Sequence, residues 1–271
     1  MRKRIALVST KTFAVSFYRF LEGRAEETGE KCELELASLV DLEERGYDLG
    51  EVAFGKKNGL VAVGPDQMKA QAGFGLDAVL VYAPPKFSVE RYGRLALELG
   101  SAFANLGLQS SESLVGDFRA KGLPIAGDYL VEQAGPTELL EQLILFFKER
   151  GVTPLSSYEI GAGGPELDEE ARERRRLDEL SKAQDKSSIF VGAVEPVDFM
   201  GDRRHYYIWL EAEAPLKSKI TVDAWLKFEE SPLLVGPALD VARALVEARE
   251  RGVGGPLPSL ARYFKRPLGM A

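Results

Sequence analysis

The chain has 271 residues, 45% apolar and 28% charged, with a formal net charge of −7. That is enough for one large or two modest domains with a proper core, and no apolar run approaches the roughly 20 residues a membrane span needs. One cysteine and one histidine exclude a disulfide framework and a His/Cys metal cage within the chain, and the acidic balance without a long basic block makes nucleic acid a poor partner.

Residues 5–9 form a five-residue, mostly apolar run with no small-residue cleavage pattern after it. They read as a first strand in the middle of a parallel sheet, not as a leader. A helix is expected over 13–27. Cys32 reads as a small buried hydrophobe, and a lone cysteine fits a reducing cytoplasm. A second strand covers 34–40 and ends at Asp41. A third covers 77–82, closed by the Pro84-Pro85 break. Then come an amphipathic helix over 89–99, a short strand over 102–104, a helix over 111–121 and a strand over 124–126. Strands alternating with helices predict an α/β fold with a parallel, doubly wound sheet.

The pattern then changes. Residues 137–150 form a helix with a stripe of Leu139, Leu140, Leu143, Ile144 and Phe147, stopped by Gly151. Residues 166–186 are highly charged with helical spacing and read as a solvated face. Three strand-like runs, 188–194, 205–212 and 219–228, have no helices between them and predict an antiparallel layer. A last helix over 237–251 ends at Gly252 and Gly254-Gly255. The expected architecture is a Rossmann-like domain, 1–130 with 232–271, interrupted by an α+β domain, 131–231, that carries an antiparallel sheet. That bare sheet needs a cover, and a second subunit is the obvious candidate, giving a homodimer or homotetramer. Charged residues far outnumber Asn and Gln, a composition that fits a thermophile.

Dinucleotide sites place GxGxxG after the first strand, so that the backbone closes on the pyrophosphate. This chain has Ser9-Thr10-Lys11-Thr12 and no glycine before Gly23. The hydroxyls and Lys11 can still contact phosphate in a less intimate geometry; otherwise the strand simply turns into its helix. Asp41 stands where an acidic residue commonly holds the adenosine ribose, though Asp at a strand end is also ordinary turn chemistry. Asp128 ends another strand, and the helix start near Gln133-Ala134-Gly135 favours an anion.

Residues 123–137, LPIAGDYLVEQAGPT, resemble the GDDxKSQxGAT signature of the myo-inositol-1-phosphate (inositol-3-phosphate) synthase family. Gly127, Asp128, Gln133, Gly135 and Thr137 fall in register, and Val131 replaces the lysine. The resemblance is collinear. The segment from DAVLVYAPP to GSAFAN, with Asn105, is similar to the family's strand, proline turn and AFVN strand. Tyr158 to Gly164 is similar to YQLNFGGN, 180–184 to ISKTQ with Lys182, and 201–204 to GDRK with Arg204 for lysine. Residues 229–236, with Glu230 and Ser231, parallel DSPNSAG, and 239–256 resemble the closing helix and GGP turn. Asp41 lies in a context like the family's aspartate before GKDL, offset so that Leu39 is the other candidate.

Membership would imply bound NAD, a glucose 6-phosphate type substrate, ring-carbon oxidation, aldol closure to an inositol phosphate, and a place in inositol and phospholipid biosynthesis. The residues it implies are Lys182, Asp202, Arg204 and Gln133 for catalysis. For the cofactor they are Ser9, Thr10, Lys11, Thr12, Asp41, Asn105, Asp128, Thr137, Glu230 and Ser231. Arginine binds phosphate but cannot shuttle protons, and valine does neither. Pro165 and Leu167 replace a family asparagine and aspartate. Each lost donor costs roughly 3 kcal/mol of barrier. Two expectations follow: an NAD-dependent sugar-phosphate isomerase/cyclase with a degenerate site, or a non-catalytic homologue that keeps the scaffold and binds a nucleotide or sugar phosphate. Lys182 can equally close a charged helix. His205 reads as packing, and Trp209 and Trp225 as core or interface.

Overall fold

The apolar run at the head of the chain is strand β1, Lys3–Ser9, fully buried from Ile5 onward. The computed structural model describes residues 2–28, 33–73, 75–84, 86–163, 189–191 and 197–269. The chain divides into two compact units, Met1–Val131 with Leu234–Ala271, and Glu132–Leu233.

In the first unit β1 pairs in parallel with β2, Leu34–Asp41, on one side and β3, Ala78–Val81, on the other. Strands β4 (Ala102–Asn105), β5 (Pro124–Ala126) and the two-residue β10 (Gly255–Pro256) extend the sheet, in the order β10-β5-β4-β3-β1-β2. Alternate residues feed two cores. Ile5, Leu7, Ala78 and Leu80 pack with Phe13 and Phe17 of helix α1, Lys11–Thr28. Ala6, Val8, Val79 and Val81 pack with Tyr92 and Ala96 of the helix over Val89–Leu99 and with Phe118. Both faces are covered, which is why the strands are continuously apolar. This is the doubly wound α/β fold expected.

Helix α1 starts two residues earlier than its spacing suggests, because the Thr10 carbonyl accepts from Ala14 N at 3.0 Å directly after the strand. The expected helix over 111–121 is a 3₁₀ turn, Glu112–Leu114, followed by a shorter helix, Val115–Ala120. Helices α2, Leu49–Phe54, and α3, Met68–Ala72, were not legible. With them counted, Val89–Leu99 is α4 and Val115–Ala120 is α5.

In the second unit α6, Pro136–Lys148, lays Leu140, Ile144 and Phe147 on Ile208, Leu210 and Ala212 of a sheet. Its strands are β6 (Thr153–Ala162), β7 (Ile189–Val191), β8 (Arg203–Ala214) and β9 (Ser218–Glu229), in the order β7-β6-β8-β9. The β8–β9 pairing is antiparallel, as expected, and β6 also pairs antiparallel with β8. Strand β7, however, pairs in parallel with β6, a strand the sequence did not reveal. Pro154 and Gly161 interrupt the alternation that would have marked β6.

The long helix α7 spans Glu230–Glu250, beginning seven residues before the expected start at Pro237. Proline cannot donate to the carbonyl four residues back. That carbonyl, on Leu233, instead accepts from Gln133 N at 2.9 Å. The tail then runs back along the 127–131 segment. Leu268 N donates to Gly127 O at 2.8 Å, Lys265 N to Tyr129 O at 2.8 Å and Val131 N to Tyr263 O at 2.8 Å. The charged 166–186 segment and Cys32 lie outside the described residues.

Candidate functional site

Strand order in the first unit reverses at β1, whose neighbours β2 and β3 are followed on one side only by further strands. Ligands of open α/β sheets sit outside the carboxyl ends of the strands at such a point. Ser9, Thr10, Lys11 and Thr12 are there, but they differ in availability. Ser9 is fully buried, and its Oγ donates to Thr10 O at 3.1 Å. A single residue, Thr10, separates strand from helix, and the Thr12 side chain is exposed. The first amides of α1 have no acceptor within the helix. Lys11 Nζ is paired with Glu44 at 2.7 Å and lies 5.0 Å from the centre of the Tyr47 ring.

Asp41 pairs in register with Ser9 at the end of β2 and is completely buried. Its Oδ1 accepts from the amides of Glu43 at 2.9 Å and Glu44 at 2.8 Å, and its Oδ2 from the Tyr47 hydroxyl at 2.6 Å. Burial and the Asp41 carboxylate together push the Tyr47 phenol well above its ordinary pKa. Both oxygens of the expected ribose holder are therefore engaged within its own loop. Leu39, the alternative, is an apolar core residue.

The carboxyl ends of β4 and β5 carry a denser constellation. Asp128 is 2% exposed. Its Oδ1 accepts from Asn105 Nδ2 at 2.7 Å and from Ser111 Oγ, and its Oδ2 from Ser111 N at 2.9 Å. Asn105 Oδ1 accepts in turn from Gly107 N at 3.0 Å. Burial raises the Asp128 pKa, and the Ser111 and Asn105 hydrogen bonds and the Arg266 charge oppose that rise. The next residue, Tyr129, has φ of 63°, a left-handed conformation rare outside glycine. Its ring lies under the ammonium of buried Lys265, 4.6 Å from the centroid.

The remaining expected residues belong to the second unit. Asp202 accepts from Ser231 N at 3.0 Å and Ser231 Oγ at 2.8 Å, so it caps the first turn of α7 from outside the helix. Burial raises its pKa against those two bonds. Arg204, 2% exposed, is ion-paired with Glu230 and donates to the carbonyls of Gly201 and Arg203 at 3.2 Å each. Asp202, Arg204, Glu230 and Ser231 thus form one cluster that secures the start of a helix. Gln133 is exposed, its backbone meeting Leu233, and Thr137 lies in the first turn of α6. Lys182 lies outside the described residues. Among those described, no group of His, Cys, Asp and Glu is suited to a metal ion.

A dinucleotide fits these residues at one end and not at the other. The start of α1 offers the Thr10 and Thr12 hydroxyls and helix-start amides, whereas Asn105, Ser111 and Asp128 at the ends of β4 and β5 are buried and bonded to one another. At β2 the ribose acceptor is covered. Sequence reasoning missed Ser111, Tyr47, Lys265 and Arg266. The nearest signal was the basic Lys265-Arg266 pair in the tail, and its partner position lies more than 130 residues earlier.

No family model matches the chain. An inositol-3-phosphate synthase of Mycolicibacterium smegmatis is 26% identical over 285 aligned residues, covering 84% of this chain and 77% of that protein. The crystal structure of Ari2 superposes with a TM-score of 0.77 at 20% identity, covering 99% of this chain and 93% of that one. A myo-inositol-1-phosphate synthase-related protein from Thermotoga maritima gives 0.76 at 13% identity, covering 98% and 93%. By sequence along most of its length the chain is similar to inositol-3-phosphate synthases, and over nearly all its length it shares the fold of Ari2 and the Thermotoga maritima protein.

Proposed function

We propose that the protein binds a sugar phosphate together with a nicotinamide cofactor and acts as an NAD-dependent isomerase/cyclase of the inositol-phosphate synthase type, with a reduced set of catalytic groups. What carries this reading is the buried Asn105–Ser111–Asp128 constellation at the carboxyl ends of β4 and β5, in a chain whose relationship to a synthase extends over 84% of its length. A structural core does not need a carboxylate held by three donors, and placing one there is costly unless it serves a ligand or a fixed turn.

NAD, when bound, would supply the acceptor and later the donor of a hydride. The chain's own residues do the rest. Thr10, Thr12 and the first amides of α1 face the phosphates, while Asn105 and Asp128 orient polar groups at the strand ends. Lys265, buried over the ring of Tyr129, the residue after Asp128, is a cation that the returning tail brings to this segment. It offers the charge that a developing enolate requires and that Val131 has lost.

A second reading, a non-catalytic homologue, is favoured by Arg204 and Asp202. Both are committed to the start of α7, and that leaves neither available for a substrate phosphate in this arrangement.

The experiment is a thermal-shift titration of the purified protein with NAD, followed by a glucose 6-phosphate turnover assay. The first reading expects a rise in Tm with millimolar NAD and slow formation of an inositol phosphate. A shift without turnover supports the second. No shift with NAD overturns the cofactor assignment.

A further inference from the structure

Asp41 carries one hydrogen bond more than its turn requires. A strand-end aspartate that only shapes its loop is satisfied by the two amides that follow it, here Glu43 and Glu44 on Oδ1. Its other oxygen, Oδ2, is not needed by that turn, and an acid at this strand end commonly accepts from a ribose hydroxyl. In this chain that oxygen holds the hydroxyl of Tyr47 at 2.6 Å. A phenol O–H and a ribose O–H are the same kind of donor, and an acceptor oxygen in a fully buried site has little room for both.

The loop that delivers the phenol is anchored at both ends. Leu42 N donates to Ser9 O at 3.1 Å and Asp41 N to Val63 O at 3.1 Å. Gly46 N donates to Ala62 O at 2.9 Å and Ala62 N to Tyr47 O at 2.8 Å. Above it, Lys11 at the head of α1 pairs with Glu44 and covers the Tyr47 ring. Backbone and ring are thus fixed, and the hydroxyl is the part that competes.

We infer that Tyr47 is an internal occupant of the ribose position on Asp41 and sets a weak affinity of this chain for a nicotinamide dinucleotide. The inference rests on the NAD reading above. In the wild type an incoming ribose hydroxyl exchanges one hydrogen bond for another and gains nothing. In Tyr47→Phe the ring still packs, but Oδ2 of Asp41 is left without its third donor, and the ribose meets an unsatisfied buried acceptor. Filling such an acceptor corresponds to about a tenfold gain in affinity.

The test is calorimetric titration of wild type and Tyr47→Phe with NAD and with an analogue lacking the adenosine 2′ and 3′ hydroxyls, alongside thermal melts. The expected result has four parts: Tyr47→Phe melts below the wild type when empty, binds NAD about tenfold more tightly, is raised further in Tm by saturating NAD, and shows no such gain with the analogue. Equal NAD affinity in the two proteins, or an equal gain with the analogue, overturns the inference while leaving NAD binding intact. Absence of NAD binding to both proteins overturns the cofactor reading and this inference with it.

Discussion

Asp128 shows how one side chain can be read two ways and tested by pH. Its three donors favour the carboxylate, whereas burial favours the protonated acid and wins, so its folded pKa lies above the ordinary 3.8. The sign follows from linkage. A folded state that holds a proton the unfolded state has lost is most stable below the unfolded value, and it loses that contribution as pH rises through the raised pKa. Asp128→Asn should cost about 1–3 kcal/mol at neutral pH, because its amide nitrogen faces the Ser111 N–H donor. The deficit relative to wild type should widen on acidification. Urea midpoints of both proteins from pH 7 down to about pH 4 measure it, and a deficit that narrows would show that the hydrogen bonds outweigh burial. Asp202 carries a pKa shift of the same sign, and it is unchanged in both proteins.

At the scale of an element, α7 shows why proline is an unreliable starting signal. Ser231-Pro232 opens this helix and Pro237 sits inside it, tolerated because Gln133 serves the carbonyl that Pro237 cannot. The ion pair of Arg204 with Glu230 joins the helix start to β8 with both side chains buried. Removing one partner leaves a buried charge uncompensated, so Arg204→Ala or Glu230→Ala should each cost about 3–5 kcal/mol. A well-packed apolar replacement of both, Arg204→Met with Glu230→Met, should recover most of that loss. Chemical denaturation of the three variants decides the matter. A double variant as unstable as the worse single one would mean that the pair does more than neutralise itself.

For the whole molecule, the second unit's sheet carries the prediction. Its packed face meets α6, while the opposite face bears Tyr158 stacked on Trp209 at 5.3 Å and Tyr207 against Trp225 at 4.9 Å, with Trp225 70% exposed. Such aromatic area is common at subunit contacts. We expect a homodimer or homotetramer formed through this sheet. Light scattering at micromolar concentration should report more than one subunit, with Trp225→Glu shifting the protein towards monomer. A monomeric wild type would remove this expectation.

Apart from the short helices α2 and α3, the alternating strands and helices of the first unit could be read from the residues because each is set by near neighbours. The helix over Val89–Leu99 follows from Val89, Tyr92, Ala96 and Leu97 on one face and Gly100 at its left-handed end. Buried parallel strands appear as unbroken apolar runs, and the antiparallel pair β8–β9 as alternation. The sequence by itself therefore determined the fold class and the positions of Asn105 and Asp128 at strand ends. Only the tertiary structure decided what those side chains do. Asp128 meets Ser111, and the tail returns Lys265 and Arg266 to its strand. Tyr47 closes Asp41, and Arg204 is spent on Glu230. The reason is range: periodicity and capping act over a few residues, whereas a buried polar group is satisfied by whichever donor the topology brings near, and that donor's distance along the chain leaves no local pattern.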